Sequence, residues 1–245
     1  VTYCVGMLLD RGMVFMSDTR TNAGLDNIST FCKMSIWEEP GERVITLLSA
    51  GNLATTQAAV SLLNERMKAP EERAPSVMAA ASMFQVAQIV ADTLREVIAL
   101  HDEAGQRADS AFHATLLLGG QIKGSAQRLF LIYPEGNFIE AAEDTPFFQI
   151  GEIKYGRPIL VRAFDAGMSF EEAMRLLVVS FDSTIKANLT VGPPMDYQFV
   201  EVDACRTATR GRIEEDDPYF QTLSNGWGDA LKHALDRLPV FDAQD

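Results

Sequence analysis

The chain reads as an α+β protein, built of antiparallel sheets with helices packed outside them. Three observations carry this. Strands and helices come in separate blocks (strands, two helices, strands, two helices, a strand) and not in strict alternation. The strand runs are short and joined by tight turns, such as Glu39-Pro40-Gly41-Glu42. With 245 residues, 47% of them hydrophobic, the chain can bury a sizeable core, and no linker or repeat divides it.

Taken in order, an apolar run to Leu9, the turn Asp10-Arg11-Gly12 and the run 13–16 form a first hairpin. Residues 21–29 are polar and read as a loop. A second hairpin pairs 31–37 with 43–49. After Gly51 the apolar period lengthens: Leu53, Ala54, Ala58, Val60, Leu62 and Leu63 predict a helix starting near Asn52. A break rich in Pro and charge, 69–75, precedes a second helix over 77–100. Runs 114–119, 128–133 and 137–141, punctuated by Gly119-Gly120 and Pro134-Glu135-Gly136-Asn137, form a meander, and 147–150 is a further short strand. Helices over 155–164 and 169–187 follow, then a strand over 198–202. In the remaining tail only 229–238 has a helical pattern.

Bulk properties exclude several classes. Thirty-four acidic residues against 21 basic ones give a net charge of −13, the wrong sign for a nucleic-acid surface. Cys4, Cys32 and Cys205 are too few and too scattered for a disulfide framework or a zinc site. Cys4 and Cys32 read as small buried hydrophobes. No run approaches a membrane span, and no basic segment precedes the first apolar run, so the expectation is a cytoplasmic protein. His101, His113 and His233 fall in no triad arrangement.

Chemistry therefore has to come from another source, and Thr2 is the candidate. A threonine at a mature N-terminus supplies a hydroxyl nucleophile and an α-amine base from one residue. Its plain reading is a β-branched strand residue. Val1 ahead of it is read either as a valine start codon, with the initiator methionine removed before Thr2, or as an artefact of preparation. Three further pieces accompany Thr2: Ser17-Asp18-Thr19-Arg20, Lys33 within Thr30-Phe31-Cys32-Lys33-Met34-Ser35-Ile36, and Ser49-Ala50-Gly51 at a strand-to-helix junction. Strand alternation puts Lys33 on one face with Phe31 and Ser35.

Together and in this order, these pieces resemble a proteasome β-type subunit of the N-terminal nucleophile (Ntn) hydrolase superfamily. The opening Thr2-Tyr3-Cys4-Val5-Gly6, the segment 17–24 and the long tail resemble most the bacterial proteasome-like subunits called Anbu. The resemblance implies a four-layer α-β-β-α sandwich over residues 1–202, with a C-terminal extension, 203–245, packed on the body or on a neighbouring subunit. It implies a catalytic set of Thr2 as nucleophile, Lys33 stabilising the alkoxide, Asp18 holding Lys33, and the Gly51 N–H as oxyanion donor. A peptide would lie as an added strand between Thr21-Asn22 and Gly51–Leu53. Its side chain would enter a pocket of Thr21, Phe31, Ser35, Ser49 and Leu53, which is mixed and not acidic. Lys33 stands one residue closer to the nucleophile than in most of the family.

The chain departs from that pattern at supporting positions. Glu152 stands where a serine is usual, Thr190-Val191-Gly192 replaces Ser-Gly-Gly, and Lys186-Ala187-Asn188-Leu189 lacks the expected aspartate. Arg20, Glu152 and Thr190 are the candidates for residues behind the catalytic set, with Glu152 placed to hydrogen-bond the amine. The expected activity is a threonine peptidase needing no metal or cofactor. It would work on peptide or protein substrates within a ring or helical stack of identical chains, with an ATP-driven unfoldase as a partner by analogy alone. The alternatives are an Ntn amidase acting on a small amide, and an assembly protein that keeps the fold without turnover.

Overall fold

The computed structural model describes residues 2–22, 28–68, 75–103 and 112–241. Val1, most of the predicted break over 69–75 and the middle of the predicted loop over 21–29 lie outside them. Among the described residues the chain forms three antiparallel sheets and five helices.

The first sheet begins with the hairpin β1 (Tyr3–Leu9) and β2 (Gly12–Asp18), paired from Cys4↔Ser17 to Leu9↔Gly12. β10 (Phe147–Gly151) pairs with the free side of β1, so it does not extend the meander that precedes it. On the other side of β2 come β11 (Met195–Glu201) and then β12 (Thr207–Ile213). The second sheet runs β5 (Met34–Glu39), β6 (Arg43–Gly51), β7 (Ala114–Ile122), β8 (Arg128–Ile132) and β9 (Phe138–Glu140). A small ribbon of β3 (Arg20–Asn22) and β4 (Ile28–Thr30) lies between β2 and β5 in the chain.

Alternation along the central strands sends neighbouring side chains into different cores. From β1, Tyr3, Val5 and Met7 join Val14 and Met16 of β2 under α3 (Arg157–Ala163) and α4 (Phe170–Ala187), against Leu160, Leu177 and Phe181. From the second sheet, Ile45, Leu47, Leu116 and Leu118 pack beneath α1 (Leu53–Lys68) and α2 (Met83–Glu103), against Leu63, Val90 and Leu94. The opposite faces of both sheets meet in a third core, where Cys4, Met13 and Phe15 contact Leu48, Leu117 and Leu129. Across that core runs a buried polar tie: Thr46 Oγ1 donates to Gln198 Oε1 at 2.6 Å.

The helices differ from expectation mainly at their starts. α2 begins at Met83 and not near residue 77, because Ser82 caps it: its Oγ accepts from the Gln85 N–H at 3.2 Å. α4 opens on a capping box in which Ser169 and Glu172 satisfy each other's backbone N–H. The last helix, α5 (Pro218–Leu235), was expected only over 229–238. Asp217 accepts from the Tyr219 and Phe220 N–H groups, and Pro218 occupies the first turn. Only Phe220 of α5 is fully buried, in the core under α4, which explains its faint sequence pattern. β12, likewise expected as tail, is an edge strand of the first sheet.

Candidate active site

The predicted residues converge where the ends of both sheets meet. Thr2 lies one residue before β1 and is buried, at 8% exposure. Its carbonyl oxygen accepts from the Glu152 N–H at 2.7 Å. Gly151, with φ +84°, makes this approach feasible, since a Cβ there would sit 1.9 Å from that oxygen. Cys4, two residues on, projects into the core between the sheets; Thr2 shares that alternation and so faces the second sheet.

Asp18 ends β2 with a fully buried side chain. Its Oδ1 accepts from the Tyr3 backbone N–H at 3.0 Å and from Lys33 Nζ at 2.7 Å. Burial pushes the Asp18 carboxyl above the usual carboxylate range, opposed by the Lys33 ammonium and by the Tyr3 and Gly192 amides. Lys33 is only 6% exposed, unlike a solvated strand lysine. It precedes β5 instead of lying within it, and its carbonyl accepts from the Ser49 N–H of β6 at 3.1 Å. Its Nζ gives a second hydrogen bond to the Arg20 carbonyl at 2.7 Å. An ammonium has three N–H donors, so two of them are fixed by these acceptors.

Gly51 ends β6 at φ +113°, where a Cβ would meet the His113 carbonyl oxygen at 2.4 Å. The direction of its N–H follows from the ladder. Asn52 N–H donates to His113 O on the β7 side, while Ser49 N–H donates to Lys33 O on the β5 side. Successive amides of one strand point to opposite sides, so the Gly51 N–H points with that of Ser49, toward the side where Lys33 lies. Asn52 then caps α1, its Oδ1 accepting from the Thr55 N–H at 3.0 Å.

A pocket of about 270 Å³ opens beside Lys33. Of the residues named from the sequence, Phe31, Ser35 and Ser49 line it, with Cys32; Thr21 and Leu53 do not. The other wall is α1, through Thr56, Gln57, Val60 and Ser61, which the sequence reasoning left out. One turn of helix beyond Leu53 brings these residues round; the helical period held the signal. Cys32 is exposed here, contrary to its expected burial, whereas Cys4 is buried and its thiol pushed up strongly by desolvation. Thr21 lies in β3 opposite Ser29, and the Asn22 backbone pairs with Ile28. A larger cavity, about 640 Å³ between α3, α4 and α5, contains none of the predicted site residues.

Behind the site, Arg20 donates to the Leu189 carbonyl at 2.8 Å and its guanidinium fills the space over Gly192. Glu152 does not direct its carboxylate as expected: it accepts from Asn188 Nδ2 at 2.9 Å, and only the backbone N–H of Glu152 reaches Thr2. Asn188 Oδ1 in turn accepts from the Thr190 N–H and Oγ1–H, at 3.0 and 2.5 Å. Asn188, one of the residues standing where an aspartate was expected, thus links Glu152 to Thr190. No group of three or more His, Cys, Asp or Glu side chains able to hold a metal ion occurs among the described residues. Nor is any helix there long and apolar enough to cross a membrane.

No protein-family model matches the chain, and no curated protein does. Solved structures do. Anbu (ancestral beta-subunit) from Yersinia bercovieri is 46% identical with a TM-score of 0.91, over 99% of this chain and 100% of that one. Anbu from Hyphomicrobium sp. strain MC1 is 48% identical with a TM-score of 0.90, over 98% and 100%. The Anbu complex from Pseudomonas aeruginosa, solved as a helical assembly, is 42% identical with a TM-score of 0.90, over 98% of both chains. With identity at this level running end to end over a common fold, the chain belongs to the Anbu family of bacterial proteasome-like subunits.

Proposed function

We propose that this protein is a threonine peptidase that acts through an acyl-enzyme on Thr2, within an assembly of identical subunits. The observation that carries this reading is the buried Lys33–Asp18 pair at 2.7 Å, placed at the meeting of the two sheet ends that present Thr2 and Gly51. A buried ion pair is a poor investment for stability alone. Beside a hydroxyl that must become an alkoxide, a fixed ammonium has a chemical purpose.

In this mechanism the Thr2 amine, free of residue 1, takes the hydroxyl proton directly or through a water. Oγ1 attacks the peptide carbonyl, and the Gly51 N–H and Lys33 ammonium stabilise the two developing oxygen charges. The tetrahedral intermediate expels the amine of the peptide's C-terminal part, which receives the proton, leaving an ester on Thr2. Water, activated by the same amine, then hydrolyses the ester. The peptide lies as a strand between Thr21-Asn22 and Gly51–Leu53, with its side chain in the pocket beside Lys33. Hydroxyls of Ser35 and Ser49 and the amide of Gln57 among its lining favour a neutral side chain of moderate size.

The three cores support a four-layer α-β-β-α sandwich as the catalytic body, 1–202, although β12 adds residues beyond that boundary to its first sheet. The extension, 203–245, then carries α5 on α4 and leaves Val240 and Phe241 about nine-tenths exposed, surface suited to a neighbouring copy. The helical assembly of the Pseudomonas aeruginosa relative supports a stacked arrangement of subunits. A cytoplasmic location and an unfoldase partner complete the reading by analogy. One observation favours a second reading, an assembly protein without turnover: the Glu152 carboxylate, the candidate support for the amine, is engaged through Oε2 by the Asn188 side chain.

Intact mass spectrometry with a panel of peptide epoxyketones separates the two. These reagents need both the hydroxyl and the free amine of an N-terminal threonine. A chain beginning at Thr2 that gains one adduct, lost in Lys33→Ala, establishes the nucleophile. The same chain taking no adduct from any reagent overturns the peptidase.

A further inference from the structure

The Thr2 side chain makes no hydrogen bond of its own among the described residues, so the chain that follows it matters to its position. The peptide unit joining Thr2 to Tyr3 is held at its carbonyl by the Glu152 N–H. Next stands Tyr3, fully buried and held at both ends. Its backbone N–H shares Asp18 Oδ1 with the Lys33 ammonium. Its hydroxyl accepts from Gln149 Nε2 of β10 at 2.6 Å and lies 2.7 Å from Ser180 Oγ of α4. Ser180 donates its own proton to the Gly156 carbonyl at 3.1 Å, so the tyrosine is the donor in the Tyr3–Ser180 bond. The ring packs on Phe181 with centroids 4.5 Å apart. Gly156 completes the socket: a Cβ there would collide with the Tyr3 hydroxyl at 2.2 Å and with Ser180 Oγ at 2.4 Å.

We propose that Tyr3 is a positioning residue for Thr2, locking the start of β1 to β10, α4 and the segment before α3 while its amide fixes the carboxylate that holds Lys33. The inference rests on the peptidase reading for its catalytic consequence, though the lock itself does not. A core tyrosine needs one hydrogen-bond partner for its hydroxyl. Here there are two, drawn from separate elements, immediately after the nucleophile. The hydroxyl reaches no reacting atom; it acts by limiting how far Thr2 moves relative to Lys33 and Gly51.

The test compares Tyr3→Phe, Ser180→Ala and the double variant with the wild-type assembly. Saturable inactivation by a peptide epoxyketone gives the maximal rate and the half-saturating concentration separately. Hydrogen exchange over residues 2–9 is followed against exchange in α4. Tyr3→Phe is expected to lower the maximal inactivation rate by about tenfold with half-saturation unchanged within about twofold, since misplacement penalises the reacting geometry and not binding. Exchange should rise selectively over 2–9. Ser180→Ala should act in the same direction more weakly, because Gln149 still holds the hydroxyl. The double variant should match Tyr3→Phe alone. Lower melting temperatures with an unchanged rate and uniform exchange would overturn the proposal, leaving Tyr3 a packing residue. If the wild type takes no adduct at all, the peptidase reading fails. Selective exchange over 2–9 then decides the lock by itself.

Discussion

Replacing Lys33 by methionine keeps the length of the side chain and removes its charge. Asp18, whose side chain has no exposure, then retains only backbone amides, the Tyr3 N–H on Oδ1 and the Gly192 amide, against its buried charge. Breaking a buried pair from one side typically costs about 3–5 kcal/mol, because the remaining charge is uncompensated. Lys33→Met should therefore lose about that much at neutral pH. Asp18→Asn with Lys33→Met removes both charges and leaves an amide oxygen for Tyr3, so it should recover to within about 1–2 kcal/mol of wild type. The pH dependence follows from the sign of the shift. Burial already raises the Asp18 carboxyl, and removing the ammonium raises it further. A group raised on folding contributes stability below its unfolded value and loses it as pH rises through the folded one. The Lys33→Met penalty should thus be small near about pH 4 and grow toward about pH 7.5. Urea unfolding followed by circular dichroism, at matched protomer concentration, measures it. A cost below about 1 kcal/mol at neutral pH, or one equal at both pH values, would refute the reasoning.

Gly51→Ala should destabilise by about 1–3 kcal/mol, because an L-residue is strained at φ +113° and its Cβ meets His113 O; an unchanged melting temperature would contradict this. Gln57→Leu should shift preference among epoxyketones from a glutamine-like to a leucine-like side chain by about tenfold, with no shift if α1 does not form the pocket wall. Tyr3 should ionise at about 12, well above an ordinary tyrosine, because burial outweighs its two hydrogen bonds. The ultraviolet tyrosinate difference between wild type and Tyr3→Phe reads this. Its stabilising contribution should persist to about pH 10 and be lost as pH rises toward about 12.

The central strands and the helix under each core were legible because burial imposes a period that the residues must follow. Val14 and Met16 alternate with Met13 and Phe15 between two cores, and Leu177 and Phe181 recur at helical spacing. β12 and α5 were not, for the same reason: an edge strand and a helix with a single fully buried residue carry almost no apolar period. At the site, Asp18 and Lys33 were found through motif order, and their ion pair is present. The Glu152 carboxylate turned elsewhere because Asn188, distant in sequence, offers it an amide. Partnerships of that kind depend on which loops meet, which no local pattern encodes. Tyr3 was hidden in plain view, since a tyrosine in a strand needs no explanation until Ser180 and Gly156 are placed around it.

One oxygen, Asp18 Oδ1, receives the amide beside Thr2 from the first sheet and the ammonium that leads into the second. Gly51 also belongs to the second sheet. Each sheet in isolation is therefore chemically mute: β1 and β2 carry a hydroxyl with nothing to polarise it, and β5 and β6, with the residue that leads into them, carry a cation and a donor with nothing to act on. On the peptidase reading proposed above, a ribosome-bound or half-folded chain would hold the ingredients of an amide-cleaving centre without the centre. Reactivity would then arrive only with tertiary closure, and the fold itself would serve as the safety catch.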